Sequence, residues 1–385
     1  MANNAIFDIA TANVIDADFS VITPNANANN ISTSYERVNS IFPTSSVEFY
    51  EDFWNNRSLP WEGTKYGIDL SHSHIITTED VLNLAGINFG FKMKQLCGID
   101  NLDEFIKTIY EIAATGIIPN GFIESIGTTP EFGVYRDDRP ANRGFLGSGS
   151  KRYVPLGNEH TRELCDILYH MGFVYENAGC FDNGKITYVS MKWKEKTIAG
   201  EKFDFYVVIV NSFDQSLPFG VFITDVRISC KNTLNLAIKK ATRFWKLKHT
   251  KNAHIKLEEV KEGLKLFGNY IGAFDMEVNR MKLLTCDKDK VVNFISTIFP
   301  IKEGMSARQI SNTEDKRAEL LYRWEYAPDL KDMEQSAFRF MSAVADYQNH
   351  NIPKKKTDEW KDNRFKKDLV NNDIIDTAYT MINSL

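Results

Sequence analysis

The sequence predicts an α+β protein: a central three-stranded antiparallel meander flanked by helices, then a mainly helical C-terminal half. Three observations carry this. The segments ITYVSMKW, FDFYVVIV and GVFITDVRIS follow one another as β-rich runs, separated by the turn-rich KEKTIAGEK and NSFDQSLPFG. Helical spacing precedes them at Glu159 to Met171 and is expected again from Lys231-Asn232-Thr233 to about Trp245. From Ile255 onward apolar residues recur at steps of three and four.

The elements follow in order. Residues 1–50 form a low-complexity arm, exemplified by ITPNANANNISTS, with two readings. It is a mobile tail, or it docks on a neighbouring subunit through the spaced apolar residues of FDIATANVIDADFSVI. A core domain is expected over 51–256 and a helical region over 257–385. Thr77-Thr78-Glu79-Asp80 before VLNLAG reads as a capped helix stopping at Gly86. INFGFKMKQL alternates like a strand. Leu102, Phe105, Ile106, Ile109 and Ile112 predict a helix over 101–115, and the Gly/Pro/Thr-rich stretch to Asn142 reads as loop.

Leu257, Val260, Leu264, Phe267, Ile271, Phe274, Val278 and Met281 form a heptad seam, weakened by Gly263, Gly268 and Gly272. A narrow seam needs one partner, and a helix of the same chain such as 287–299 is the expected one, with a neighbouring copy as the alternative. Further helices are expected at 287–299, 311–324 (Ser311 and Glu314 as a capping box), 333–349 and 367–383.

The chain has 385 residues, 43% hydrophobic and 25% charged, with a net charge of −5. This is globular composition for two or three domains, and the molecule as a whole is no basic polyanion binder. Five cysteines, irregularly spaced and without a CxxC pair, predict plain thiols in a reducing compartment. The first cation is Arg37 and the apolar runs are short, so neither a signal peptide nor a membrane span is expected.

One block breaks the acidic average. From Arg227 to Lys256 there are nine Lys or Arg and no Asp or Glu. Taken as a helix, Asn232 to Lys246 places Leu234, Ala237, Ile238, Ala241 and Trp245 on one arc, and Lys239, Lys240, Arg243 and Lys246 opposite. The block has three readings: nucleic-acid or other polyanion contact, solvated surface, or recognition of a partner's acidic patch. The first gives the candidate nucleic-acid-binding set Arg227, Lys231, Lys239, Lys240, Arg243, Lys246, Lys248, His249 and Lys251, with Lys151 and Arg152 from a Gly/Ser-rich stretch.

Reaction chemistry is scarce. Gly144-FLGS-Gly149-Ser150-Lys151 has phosphate-loop spacing but ends Ser-Lys, not Lys-Ser/Thr, leaving only loose phosphate holding by its backbone. His72 and His74 lack a third metal ligand nearby in sequence. A Cys230–His249 nucleophile with Asp214 is conceivable in type, but Cys230 ends an apolar strand. No catalytic residue, metal or cofactor is expected.

Several motifs, in order, resemble the phage- and plasmid-encoded proteins of the domain-of-unknown-function family DUF932. They are Pro60-Trp61-Glu62-Gly63-Thr64 with TTEDVLNLAGINF; Leu146-Gly147 through Arg152-Tyr153 to Asn158; Asn211-Ser212-Phe213-Asp214-Gln215; Arg227-ISCKNTLNLA; Lys248-His249-Thr250; and Ala343-Val344-ADYQNHNI. The chain departs from the family pattern at Glu62, where the family has His, and at Gln215, where it has Gly. Residues 98–133 look like an insertion. The resemblance implies a phage or plasmid gene product in the host cytoplasm, with a virion location as the variant, and no assigned reaction. The order helix, meander, basic helix is also similar to that of phage single-strand annealing proteins, an analogy of order alone. The expectation is a non-enzymatic DNA-metabolism protein that binds single-stranded DNA and forms homo-oligomers, without a membrane. The alternative is a phage structural or interaction protein.

Overall fold

The computed structural model describes residues 37–43, 59, 61–62, 64–72, 77–99, 101–123, 126–193, 195–227, 232–233, 244–250, 253–350, 357–370 and 373–385. Most of the N-terminal arm therefore lies outside the described residues. In chain order the elements begin with strand β1 (Gly67–Asp69), helix α1 (Thr78–Leu84), β2 (Phe91–Ile99), α2 (Leu102–Thr115), β3 (Ile126–Arg136), the short α3 (Ala141–Gly144) and β4 (Phe145–Ser150). Helix α4 (Asn158–His170) leads into β5 (Val174–Phe181), β6 (Ile186–Lys192), β7 (Lys196–Ile198), β8 (Glu201–Ser212), β9 (Phe219–Arg227), β10 (Asn232–Thr233) and β11 (Phe244–Leu247). The helices α5 (Ala253–Lys265), α6 (Phe267–Leu283), α7 (Lys288–Ile298), α8 (Ala307–Tyr326), α9 (Ala337–His350), α10 (Trp360–Val370) and α11 (Asp373–Ile382) complete it.

The chain is α+β with antiparallel sheets, but the expected three-stranded meander is corrected. The three strands exist as β6, β8 and β9, and they are the middle of an eight-stranded sheet ordered β1-β5-β6-β8-β9-β10. There β7 pairs the start of β8, and β11 runs beside the start of β9. A second sheet, β2-β3-β4, uses residues expected to be loop, since β3 falls inside the stretch ending at Asn142.

Strand β8 reads FDFYVVIV without polar alternation because both its faces are covered. Phe203, Phe205, Val207 and Ile209 join the large core on the helical side. Tyr206, Val208 and Val210 join a smaller core with Trp61, Tyr188 and Phe365.

The seam is real in spacing and corrected in partner. Leu257, Val260, Leu264, Phe267, Ile271, Phe274, Val278 and Met281 are all buried, on two helices joined at Leu266. Phe267 meets Phe173, Trp193 and Phe205, and Phe274 meets Phe203 and Phe205, with ring centroids 4.9–6.3 Å apart. The seam thus lies on the sheet. Gly263 lets Trp245 approach: a Cβ there would sit 2.5 Å from Trp245 Cζ2.

The helix expected over Asn232–Lys246 is also corrected at both ends. Asn232 and Thr233 pair with Arg227 and Val226, and Phe244–Leu247 pairs with Phe222 to Phe219. Residues 234–243 lie outside the described residues. The capping box of α8 is Ser306 with Gln309, one turn before the expected Ser311 and Glu314. Helix 367–383 is two helices, α10 and α11.

Every residue of α9 except Gln348 is buried, as a helix at the centre of a bundle must be. Its charges are paired: Arg323 of α8 donates to Asp346 at 2.7 Å and to Glu319 at 2.8 Å. Arg339 donates to the Trp324 and Met333 carbonyls and lies 4.7 Å over the Trp324 ring. No helix among the described residues is long and apolar enough to cross a membrane.

Candidate nucleic-acid interface

Four of the basic candidates are placed on the surface. Lys246 is exposed on β11, opposite Gly220, and Lys248 is exposed just after it. Lys151 and Arg152 are exposed in the turn leaving β4. The two segments are far apart in sequence yet adjacent in space, because the Val154 amide donates to the His249 carbonyl at 3.2 Å. Arg227 ends β9, its backbone opposite Phe203 and Asn232. Lys231, Lys239, Lys240, Arg243 and Lys251 lie outside the described residues.

His249 is a correction. It is 7% exposed, and its Nδ1 accepts from the Leu156 amide at 3.0 Å. With Nδ1 accepting, the ring proton resides on Nε2. Burial pushes the imidazole down to about 4, only partly offset by a backbone contact from Leu217. At neutral pH it carries no charge to offer a phosphate, and it serves the loops instead.

Those loops are where three of the sequence motifs meet. Tyr153 lies edge-on to His249, centroids 5.3 Å apart, and its hydroxyl donates to the Ser212 carbonyl at 3.4 Å. Burial raises its phenol well above the ordinary value. Asn211 Nδ2 donates to the Leu156 carbonyl at 2.7 Å, while Ser212 Oγ donates to the Leu217 carbonyl at 2.6 Å. Asn158 accepts from Thr187 at 3.1 Å and donates to the Phe89 carbonyl at 3.3 Å. The contacts to Ser212, Asn211 and Thr187 tie residues 153–158 to β8 and β6.

The glycines of the 144–151 stretch have the same purpose. Most of the stretch, Phe145–Ser150, is strand β4 rather than the loop expected. A Cβ on Gly147 would lie 2.6 Å from Asp214 Cα, and one on Gly149 would lie 2.6 Å from the Tyr153 ring. Gln215 has φ of 64°, the left-handed region that explains a glycine at this position in the family pattern. Here its side chain compensates by donating to the Ser148 carbonyl at 2.5 Å.

The other chemical candidates are not assembled. Asp214 Oδ1 accepts from Ser216 N at 3.0 Å and does not orient His249, whose Nδ1 is occupied by Leu156. Cys230 and His74 lie outside the described residues. Among the described residues no group of three or more His, Cys, Asp or Glu is placed to hold a metal. Cys165 and Cys286 are buried thiols, Cys180 is half-buried and Cys97 exposed.

The Trp61-Glu62 motif sits on the opposite face of the sheet. Trp61 packs edge-on to Tyr206 at 5.0 Å and to Phe365 at 6.3 Å. Glu62, at the family's His position, accepts from the Leu59 amide at 3.1 Å. Tyr188 hydrogen-bonds Thr64 and Asn177 at 3.2 and 2.7 Å, over Gly67, where a Cβ would collide with all three side chains. The late motif, as far as His350, lies on the buried α9.

Sequence reasoning missed Arg136. It is buried 3.8 Å from the Phe89 ring centroid, donates to Asp138, and reaches the Gly86 and Asn183 carbonyls. It locks the β5–β6 turn, where Asp182 and Asn183 adopt positive φ, against the second sheet. No spacing rule flags such a residue.

A family model described as a domain of unknown function (DUF932) matches residues 145–369. No curated protein and no solved structure matches the chain.

Proposed function

The chain belongs to the DUF932 family, and from that premise we propose a non-enzymatic DNA-metabolism role, of phage or plasmid origin, in which the protein binds single-stranded DNA and assembles into oligomers. The observation that carries the reading is the acid-free stretch from Arg227 to Lys256 with nine cations in a chain of net charge −5. The exposed Lys246 and Lys248, beside Lys151 and Arg152, support it by bringing charge from two sequence regions to neighbouring backbone segments. Lys and Arg along such a track neutralise phosphates, and affinity arises from counterion release.

Strand β11 gives the interface a rigid base, since it is paired to β9 and Leu247 is buried beside the exposed Lys246. The test is binding of a fluorescent oligonucleotide by wild type and by the triple variant Lys239→Glu, Arg243→Glu, Lys246→Glu. Binding lost with thermal midpoint unchanged supports the reading. Equal binding by both proteins removes it.

A further inference from the structure

The buried seam of α5 and α6 is not free to mediate assembly, so an oligomer needs another surface. Helix α2 offers one. It is 14 residues long, capped at both ends by Asn101 and Gly116, and none of its residues is buried. Isolated helices of this length are marginal in water, so a formed helix without a buried residue lacks the tertiary support that usually holds one.

Its surface is patterned. At about 100° per residue, Ile109, Leu102, Ala113 and Ile106 fall within about 60° of one another, spaced four, three and four apart. All four are exposed. Tyr110 borders the stripe at 72% exposure. The half-buried Phe105 stacks on Phe122 at 5.4 Å, which folds the following loop back toward the start of the helix. That loop adds exposed Ile117, Ile118 and Ile123.

We propose that this α2 face, with the loop that follows it, is the self-association surface of the protein, pairing with the same face of a second copy. The proposal deepens the oligomer part of the functional reading and is independent of its DNA part. Three arguments select a second copy.

The first is area. At roughly 200 Å² for each fully exposed large side chain, the exposed parts of Leu102, Ile106, Ile109, Tyr110, Ile117, Ile118 and Ile123 leave about 800 Å² in water, close to the contribution of one partner to a standard interface. Monomers rarely expose more than a few hundred Å² of contiguous apolar surface. The second is charge. Asp103 and Lys107, of opposite sign and four residues apart, are the charges nearest the stripe, whereas Glu104 and Glu111 lie on the far side of the helix. Two copies therefore meet face to face without like charges opposed. The third concerns membranes, the usual alternative for an amphipathic helix. Those that bind anionic bilayers carry Lys and Arg on the polar face, and this one carries a single cation, Lys107, against Asp103, Glu104 and Glu111. The helix also lies outside the family-matched residues 145–369, so its apolar face is not explained by the matched core.

The test is light scattering after gel filtration of the full chain over a range of concentrations. Wild type is expected to show at least a dimer, dissociating on dilution. The variant Ile106→Glu with Ile109→Glu is expected to fall to a lower mass, with unchanged circular dichroism and unchanged oligonucleotide affinity per protomer at low protein concentration. Met276→Glu, an exposed apolar site on α6, is the control and keeps wild-type mass. A second arm uses Ala113→Cys on a Cys97→Ser background, which is expected to give a disulfide-linked dimer on mild oxidation. A monomeric wild type overturns the proposal. So does a double variant that keeps its mass. A monomeric wild type that co-sediments with phosphatidylcholine vesicles assigns the face to a bilayer instead. A wild type that self-associates but binds no oligonucleotide contradicts the functional reading, and this one then stands if the Glu pair lowers the mass.

Discussion

The Leu156 amide donates to Nδ1 of His249 at 3.0 Å, and with the Val154–His249 backbone bond it joins the loop before α4 to the segment of β11 and the residues just after it, which carry Lys246 and Lys248. The basic surface is thus held from below by a neutral histidine. Its neutrality has a consequence for pH. The folded-state value of about 4 lies below the ordinary 6.5, so the unfolded chain binds the proton first as pH falls. Stability from this group is full above about pH 6.5 and declines down to about 4, by on the order of 3 kcal/mol at most. Urea unfolding at pH 7 and 4.5 is expected to show that loss in wild type. In His249→Gln, whose amide oxygen still accepts from Leu156, the part of the loss due to this group should vanish. An equal pH effect in both proteins would contradict the assignment.

The seam predicts a severe core mutant. Leu264→Asp places a carboxylate against the sheet at a fully buried position. A cost of several kcal/mol is expected, since an unpaired charge has no partner there. Circular dichroism and a urea melt should show an unfolded or strongly destabilised protein. A folded variant of wild-type stability would mean that the seam is not covered.

Two glycines of the same helices should respond in opposite directions. Gly272→Ala meets nothing within 4 Å and is expected to stabilise by about 0.5–1 kcal/mol through helix propensity. Gly263→Ala gains the same propensity but drives a methyl into the Trp245 ring, and overpacking of this kind costs about 1–3 kcal/mol. Thermal midpoints should therefore move up for the first and down for the second. A rise for both would show that β11 does not press on α5.

The buried pair in the helical half is expected to behave as an all-or-none contact. Asp346→Ala leaves the Arg323 guanidinium, fully buried, with Glu319 as its remaining carboxylate. A loss of about 3 kcal/mol is expected. The compensating double variant Arg323→Met, Asp346→Ala should recover much of it. Recovery absent in the double variant would place the cost in packing rather than in charge.

What the sequence made legible was local. Helix α1 announces itself through Thr77, whose side chain accepts from Asp80 N at 3.2 Å, and α2 through the helical spacing of Leu102, Phe105, Ile106, Ile109 and Ile112. The period of the seam was readable, but a stripe of one width serves a sheet as well as a helix, and the sheet is what it covers. The Ser306 and Ser311 boxes both satisfy the capping pattern; the helix starts at the earlier one, which leaves Ser311 inside. Strand β5 was missed because VYENAGCF carries Glu176, Asn177 and Gly179, with a register shift between Tyr175 and Asn177. Phe244–Leu247 fitted a helical arc in isolation, and pairing with β9 decides it as strand. Of the basic candidates, sequence could count the charges but could not tell that His249 is interior, because burial is a property of the loops packed over it.

Cations that neutralise phosphates make binding depend on salt, and this dependence can be measured. Fluorescence anisotropy of a labelled single strand, titrated with the wild-type protein across a range of salt concentrations, yields the slope of log affinity against log salt. With roughly five phosphates neutralised, a slope near −3.5 is expected, at about 0.7 for each phosphate on single strands. Reversing Lys246 and Lys248 to Glu should weaken binding and flatten that slope by one unit or more. Absence of binding at low salt, or a slope near zero, would contradict the account.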